Sequence, residues 1–162
     1  FIASIFSVII SPKISQAFDN KNIKSINHIT KLITRMMISF SILILIFFII
    51  FGKNVLSFYG EEFKSAFIPL IILALGHFFR SLSISEDFML MANLEKSSLK
   101  ICLFSFILNI ILNYILITPY GVVGAAISTF FSLAVINITM PILVYTKLKI
   151  NTSIFNLNWS KK

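Results

Sequence analysis

The sequence alternates between long apolar runs and short polar segments. Four of the runs contain about 20 mostly hydrophobic residues, the length that an α-helix needs to cross a bilayer. They lie near residues 36–52, 66–88, 101–118 and 122–146. Residues 1–10 are also apolar, with no basic stretch before them, so we interpret them as the end of a truncated transmembrane helix rather than a signal peptide. The pattern predicts an all-α, polytopic membrane helix bundle.

Composition supports this prediction. Hydrophobic residues make up 57% of the chain and charged residues 12%, whereas a soluble domain has roughly 45–50% and about 25%. A soluble globular fold and a disordered chain are both excluded. The single cysteine, Cys102, allows neither an internal disulfide nor a cysteine metal cluster.

The basic residues are unevenly distributed between the connecting segments. They concentrate in segment 11–35, loop 93–100 and tail 147–162, whereas the intervening segment 53–65 has only Lys53 and Lys64 and the turn at 119–121 has none. Because Lys and Arg are retained in cytoplasmic loops, this predicts that the basic segments lie in the cytoplasm. The net charge of +8 therefore reflects topology and gives no indication of nucleic acid.

Two of the basic segments carry further features. Segment 11–35 is polar with a row of Ile and Leu residues, so it forms either an amphipathic helix on the membrane surface or a solvated helix that joins two spans. The tail has glycosylation-type triplets at Asn151 and Asn158. A cytoplasmic tail does not meet the glycosylation machinery, so we discount both triplets.

The run at 66–88 contains ionisable side chains, which are costly to place inside a membrane. On one continuous helix, a polar stripe forms on a single face from Gly76, His77, Arg80, Ser83 and Asp87. The stripe can line a water-filled cavity in which the Arg80 guanidinium binds phosphate or carboxylate. Alternatively, Arg80 reaches the cytoplasmic interface or pairs with an acidic residue on another helix. Glu86 and Asp87 are either plain interfacial carboxylates or sites that couple to a proton or sodium ion.

The next run has an uncharged polar stripe, formed by Cys102, Ser105, Asn109 and Asn113. Such asparagines either hydrogen-bond between helices or line a cavity, and the sequence leaves both open. The last run begins with small residues, among them Gly121 and Gly124, which allow two backbones to approach closely.

No pattern typical of an enzyme is present. We find no Ser/His/Asp arrangement, no paired carboxylates in the middle of a span, no phosphate-binding glycine loop and no His/Cys metal spacing. We therefore predict a protein that is not an enzyme and needs no metal or cofactor.

Three motifs carry a resemblance to a known family. They are NIILNYILITPYGVVGAAIST at 109–129, SPKIS at 11–15 and FYGEEFKSA at 58–66. In order and spacing they resemble the C-terminal half of polysaccharide flippases, the O-antigen and capsule repeat-unit translocases of the multidrug/oligosaccharidyl-lipid/polysaccharide exporter superfamily. The resemblance covers residues 1–147.

The resemblance implies a fold and a function. It implies a transporter of 12 or 14 helices in two bundles around a cavity that opens alternately to the two membrane faces, with this chain as the second bundle and a missing N-terminal bundle as its partner. The implied substrate is an undecaprenyl-diphosphate-linked oligosaccharide. Arg80 suits its diphosphate, and Asn109 and Asn113 suit its sugar hydroxyls. The alternatives are a cation-coupled drug or metabolite exporter of the same fold and, from another class, a membrane glycan polymerase or acyltransferase, for which the external segments are short.

Overall fold

A computed structural model of the chain describes residues 23–153, and in this range the protein is helical. Its elements are helix α1 (Ile23–Ser57), a 3-10 helix (Glu61–Ala66), helix α2 (Phe67–Ser81), the short helix α3 (Ser85–Met91) and helix α4 (Glu95–Leu148). Three helical segments are long and apolar enough to cross a membrane: Ile26–Ser57, Glu61–Ser81 and Glu95–Leu148. The protein is therefore built as a membrane-embedded helix bundle. The apolar stretch 1–10, the motif at 11–15 and the end of the tail from residue 154 lie outside the described residues.

Helix α1 joins two segments that the sequence pattern separates. Its first turns belong to the polar segment 11–35, and it continues without interruption through the apolar run 36–52. Residues 23–51 contain neither proline nor glycine, so nothing in the local sequence ends the helix between the two. In its described part, segment 11–35 is thus the beginning of a spanning helix. Ile26, Ile33 and Met37 form its buried side.

Helix α2 ends seven residues earlier than the run at 66–88 predicts. The prediction of one continuous helix over this run was therefore wrong. It stops at Ser81, and α3 starts at Ser85. The amide of Ile84 donates to the carbonyl of Thr152 at 3.2 Å, and the hydroxyl of Ser83 accepts from the amide of Ser85 at 3.1 Å. These bonds replace helical ones, as serine side chains near the backbone commonly do.

Helix α4 folds back on itself at Gly121. The backbone there is not helical (φ 55, ψ −131), and two antiparallel limbs of about 26 residues, each roughly 39 Å long, run from it. The hydroxyl of Ser105 in the first limb donates to the carbonyl of Ser132 in the second at 2.6 Å. The predicted runs 101–118 and 122–146 lie in these two limbs, 95–120 and 122–148.

One end of the bundle gathers most of the described basic residues. At this end, which we call the basic end, the Thr30 hydroxyl donates to the Asn151 carbonyl at 3.3 Å and the Lys147 ammonium to the Ser97 hydroxyl at 3.2 Å. The basic residues on the segments that meet there are Lys31, Arg35, Lys96, Lys100, Lys147 and Lys149. Lys53 and Lys64 lie toward the opposite end. The helices therefore alternate in direction as a multispanning topology requires.

The buried core also lies at the basic end. Its largest members are Phe88 and Met89 of α3, which are 0% exposed, together with Met140 and Val144 of α4. Elsewhere, large apolar side chains cover the outside of the helices, as expected for surfaces that face lipid.

Candidate functional site

Arg80 and Glu86 form an ion pair across the break between α2 and α3. Arg80 lies in the last turn of α2 and Glu86 in the first turn of α3. The Nη2 atom of Arg80 is 2.7 Å from the Oε2 atom of Glu86, and the two side chains are 43% and 38% exposed. Pairing with an acidic residue on another helix was among the alternatives to a cavity-lining role for Arg80, and the geometry shows such a pair. The half-exposed guanidinium is nevertheless open to a further ligand.

Two more polar side chains lie close to this pair. His77, one turn before Arg80, is exposed, and the charge of Arg80 acts on its ring. Cys102, in the first limb of α4, is near enough for the charges of both Arg80 and Glu86 to act on its thiol. We call His77, Arg80, Glu86 and Cys102 the Arg80 patch. With an arginine fork beside an imidazole, the patch can bind an anion such as a phosphate group.

Ser83 and Asp87 do not share the face of Arg80, contrary to the predicted stripe. Ser83 is buried in the break, where its hydroxyl donates to the carbonyl of Thr152 at 3.2 Å and contacts the hydroxyl of Ser85. Asp87 is half-buried on α3, which no longer follows the helical phase of α2. The stripe was drawn on a continuous helix, and the break after Ser81 removes its last two members.

Asn109 and Asn113 bond to each other rather than to another helix. The Nδ2 atom of Asn113 donates to the Oδ1 atom of Asn109 at 2.9 Å, one helical turn away. The Oδ1 atom of Asn113 is buried and has no hydrogen-bond partner among the described residues. The bond between the limbs of α4 comes from Ser105 instead. The amide pair therefore does not join helices, and both side chains are half-buried.

Replacing both asparagines, as Asn109→Leu/Asn113→Leu, should leave the stability of the protein unchanged or raise it by up to about 1 kcal/mol. Removing both partners of a hydrogen bond in favour of apolar groups of similar shape is close to neutral, and here it also removes an unpaired carbonyl. Thermal unfolding in detergent measures the change. Ser105→Ala is the matched control and should lose about 1 kcal/mol, because it breaks the bond between the limbs. A double variant that is less stable than Ser105→Ala would show that the asparagines hold the bundle together.

The sequence pattern missed a buried polar junction at the basic end. Residues 149–153, which we call the strap, follow α4 and cross the helix break, where Ile150, Thr152 and Ser153 are buried. The hydroxyls of Thr152 and Ser85 are 2.6 Å apart, and the amide of Asn151 donates to the Oδ1 atom of Asn27 in α1 at 3.3 Å. The tail was predicted to lie in the cytoplasm, and its first residues pack into the basic end of the bundle. The run Asn151-Thr152-Ser153 was the available signal, since such residues readily bond to backbone.

A small groove lies beside the strap. Its volume is about 190 Å³ and its walls are almost wholly apolar. The lining residues are Phe79, Leu82, Ser83, Asn137, Ile138, Pro141, Ile142 and Ser153.

Across residues 23–153, His, Cys, Asp and Glu form no group of three that could hold a metal ion. The charged chemistry of the described part therefore centres on the Arg80 patch.

Comparisons with protein-family models, with curated proteins and with solved structures returned no match. The fold and the site themselves define the class of protein. It is a multispanning helical membrane protein with a half-exposed arginine–glutamate pair at its basic end.

Proposed function

We propose that this chain belongs to a bacterial inner-membrane translocator that flips undecaprenyl-diphosphate-linked oligosaccharide repeat units by alternating access. The observation that carries the proposal is the Arg80 guanidinium, half-exposed on a bundle of membrane helices. An arginine in such a setting is expensive to insert and generally has a function. A planar cationic fork suits the diphosphate of a lipid-linked sugar.

The chemistry of this substrate requires two kinds of surface. The diphosphate needs a cation, supplied here by Arg80, with the His77 ring beside it as a hydrogen-bonding group, and the sugars need hydrogen-bonding groups in a wet cavity. Asn109 and Asn113, which bond only to each other in the described structure, offer amides for the sugars. One arginine is a thin lining for two phosphates, so a second, N-terminal bundle would provide further basic residues. The pair of bundles forms the alternating-access unit.

The distribution of charge supports the proposed orientation. With the basic end in the cytoplasm, segments 11–35 and 93–100 and the tail lie inside, and Lys53 and Lys64 lie outside. The Arg80 patch then opens near the cytoplasmic leaflet. A translocator that loads its substrate from the cytoplasm needs its phosphate-binding group at this level.

The test is Arg80→Ala in the full-length protein, expressed in a strain from which the gene has been deleted. We expect surface glycan to fall about tenfold to a hundredfold, because a hydrogen bond to a charged group contributes about 1.5–3 kcal/mol. Quantitative immunoblotting of surface glycan measures the loss. Arg80→Lys should recover part of it, since an ammonium keeps the charge but not the fork.

Arg35→Ala is the matched control, because Arg35 is an exposed arginine on α1 toward the same end. It should leave surface glycan unchanged. Normal glycan in the Arg80→Ala strain, with expression equal to wild type, would refute the role of Arg80. Loss of drug efflux with no glycan defect would instead identify the cation-coupled exporter.

A further inference from the structure

We propose that Glu86 is a built-in competitor for the anion site of Arg80, and that a phosphate-bearing ligand binds Arg80 by displacing the Glu86 carboxylate. This inference rests on the proposed function and specifies how its binding site is regulated. Without ligand, the Glu86 carboxylate pairs with the Arg80 guanidinium. When the ligand binds, its phosphate group replaces the carboxylate.

The geometry leaves the guanidinium only partly used. The ion pair joins the Nη2 atom of Arg80 to the Oε2 atom of Glu86, at 2.7 Å. A guanidinium has five N–H donors in a planar fork, and within residues 23–153 no other acidic residue forms an ion pair with Arg80. A phosphate can therefore approach the unused edge of the fork before the carboxylate leaves.

The exposure of the pair makes the exchange feasible. Both side chains are roughly 40% exposed, and the proposed orientation places them near the cytoplasmic leaflet, where water reaches an ion pair and leaves it little net stability. A fully buried pair would be strongly destabilised by the loss of one partner. A diphosphate brings more negative charge than one carboxylate and can engage two nitrogens at once. Competition therefore favours the incoming ligand.

The exchange requires movement of one side chain only. Phe88 and Met89 hold α3 in the core, where both are 0% exposed. Glu86 lies on the same short helix but on its half-exposed side, so its carboxylate can swing away while the helix stays in place. A ligand can then bind Arg80 without unfolding of α3 or of the segment between α2 and α3.

The experiment measures binding to the full-length protein in lipid nanodiscs by native mass spectrometry. The probes are undecaprenyl diphosphate and, as an uncharged control, undecaprenol. Glu86→Gln should bind undecaprenyl diphosphate about threefold more tightly than wild type, the gain expected when a weak competing ion pair is removed. Undecaprenol binding should not change. Adding Arg80→Ala to Glu86→Gln should abolish the gain.

The matched control is Asp87→Asn. Asp87 is the adjacent, half-buried carboxylate on α3, and among the described residues it has no ion pair with Arg80. Its replacement should leave the affinity at the wild-type value. Glu86→Ala is a second variant that removes the competitor without adding an amide, and it should reproduce the gain if Glu86→Gln folds poorly.

Inorganic pyrophosphate distinguishes the two sources of the phosphate. If it displaces the lipid from Glu86→Gln at similar concentrations, the exchange at Arg80 responds to phosphate itself. If it does not, the exchange is confined to phosphate carried on a membrane lipid. Either result supports the exchange, provided that the affinity gain is present.

Unchanged or weaker binding in both Glu86 variants would overturn the exchange, because Glu86 would then position Arg80 or play no part. Such a result together with lost surface glycan in Arg80→Ala leaves the proposed function standing. Normal glycan in Arg80→Ala refutes the proposed role of Arg80 whatever the affinities are.

Discussion

Replacing Gly124 with valine is expected to prevent the two limbs of α4 from closing and to leave almost no folded protein. Gly124 lies where the second limb leaves the turn, and a β-carbon built on it would overlap the backbone carbonyl of Leu116 in the first limb. The atoms that this β-carbon would meet all belong to the backbone of Leu116 and Ile117, so no flexible side chain can move to make room. Overpacking that side chains can relieve costs about 1–3 kcal/mol, and this overlap should exceed that range.

Yield of monodisperse protein and thermal unfolding in detergent measure this effect. Cys102 is the only cysteine of the chain, so a thiol-reactive fluorescent dye reports its exposure as the bundle unfolds. Val122→Leu adds volume on the same turn at a side chain that is 69% exposed, and it should behave as wild type. If Gly124→Val melts at the wild-type temperature, the close approach of the two limbs is wrong.

Replacing Phe88 with alanine is expected to destabilise the basic end by about 3–5 kcal/mol, the range for a fully buried phenylalanine. Phe88 is 0% exposed and belongs to the cluster in which α1, α3, both limbs of α4 and the strap meet. Membrane proteins gain little from moving an apolar side chain out of lipid, so the loss here is one of packing against neighbours. The cavity left behind would weaken the packing between all of these elements at once.

Leu90→Ala is the matched control, because Leu90 lies on the same helix and is 58% exposed. Unfolding of both variants in a series of mixed micelles of increasing denaturing detergent gives the two free-energy differences. Phe88→Ala should unfold at a clearly lower detergent fraction, and Leu90→Ala close to wild type. Equal losses would show that α3 does not anchor the basic end.

Local sequence determined the parts of the fold that depend on local physics. The length of each apolar run predicted segments that enter lipid, and three helices long and apolar enough to cross a membrane are present. The tight turn was predicted at 119–121, and the chain reverses at Gly121, where a positive φ of 55 favours glycine. The alternating loop charges agree with the way the helix ends assemble, because Lys53 and Lys64 lie away from the basic end.

The break after Ser81 could not be predicted in this way. Residues 66–88 keep a helical pattern of apolar positions through the break, with Leu82 and Ile84 where a helix would accept them. The bond that ends the helix comes from Thr152, 68 residues after Ile84. A hydrogen bond between residues so far apart in sequence leaves no periodic pattern of apolar positions. The packing of the strap could therefore not be predicted either.

The candidate site shows the same division. Sequence alone identified Arg80 and Glu86 as the charges that a membrane helix must account for, because their burial is costly wherever they point. On one continuous helix the two would lie on different faces, since residues six apart are about 120° apart around the axis. Only the tertiary structure brought them together, because the strap breaks the helix between them and lets the chain turn. Hydropathy thus determined which segments enter the membrane, and a long-range backbone hydrogen bond decided which charges meet.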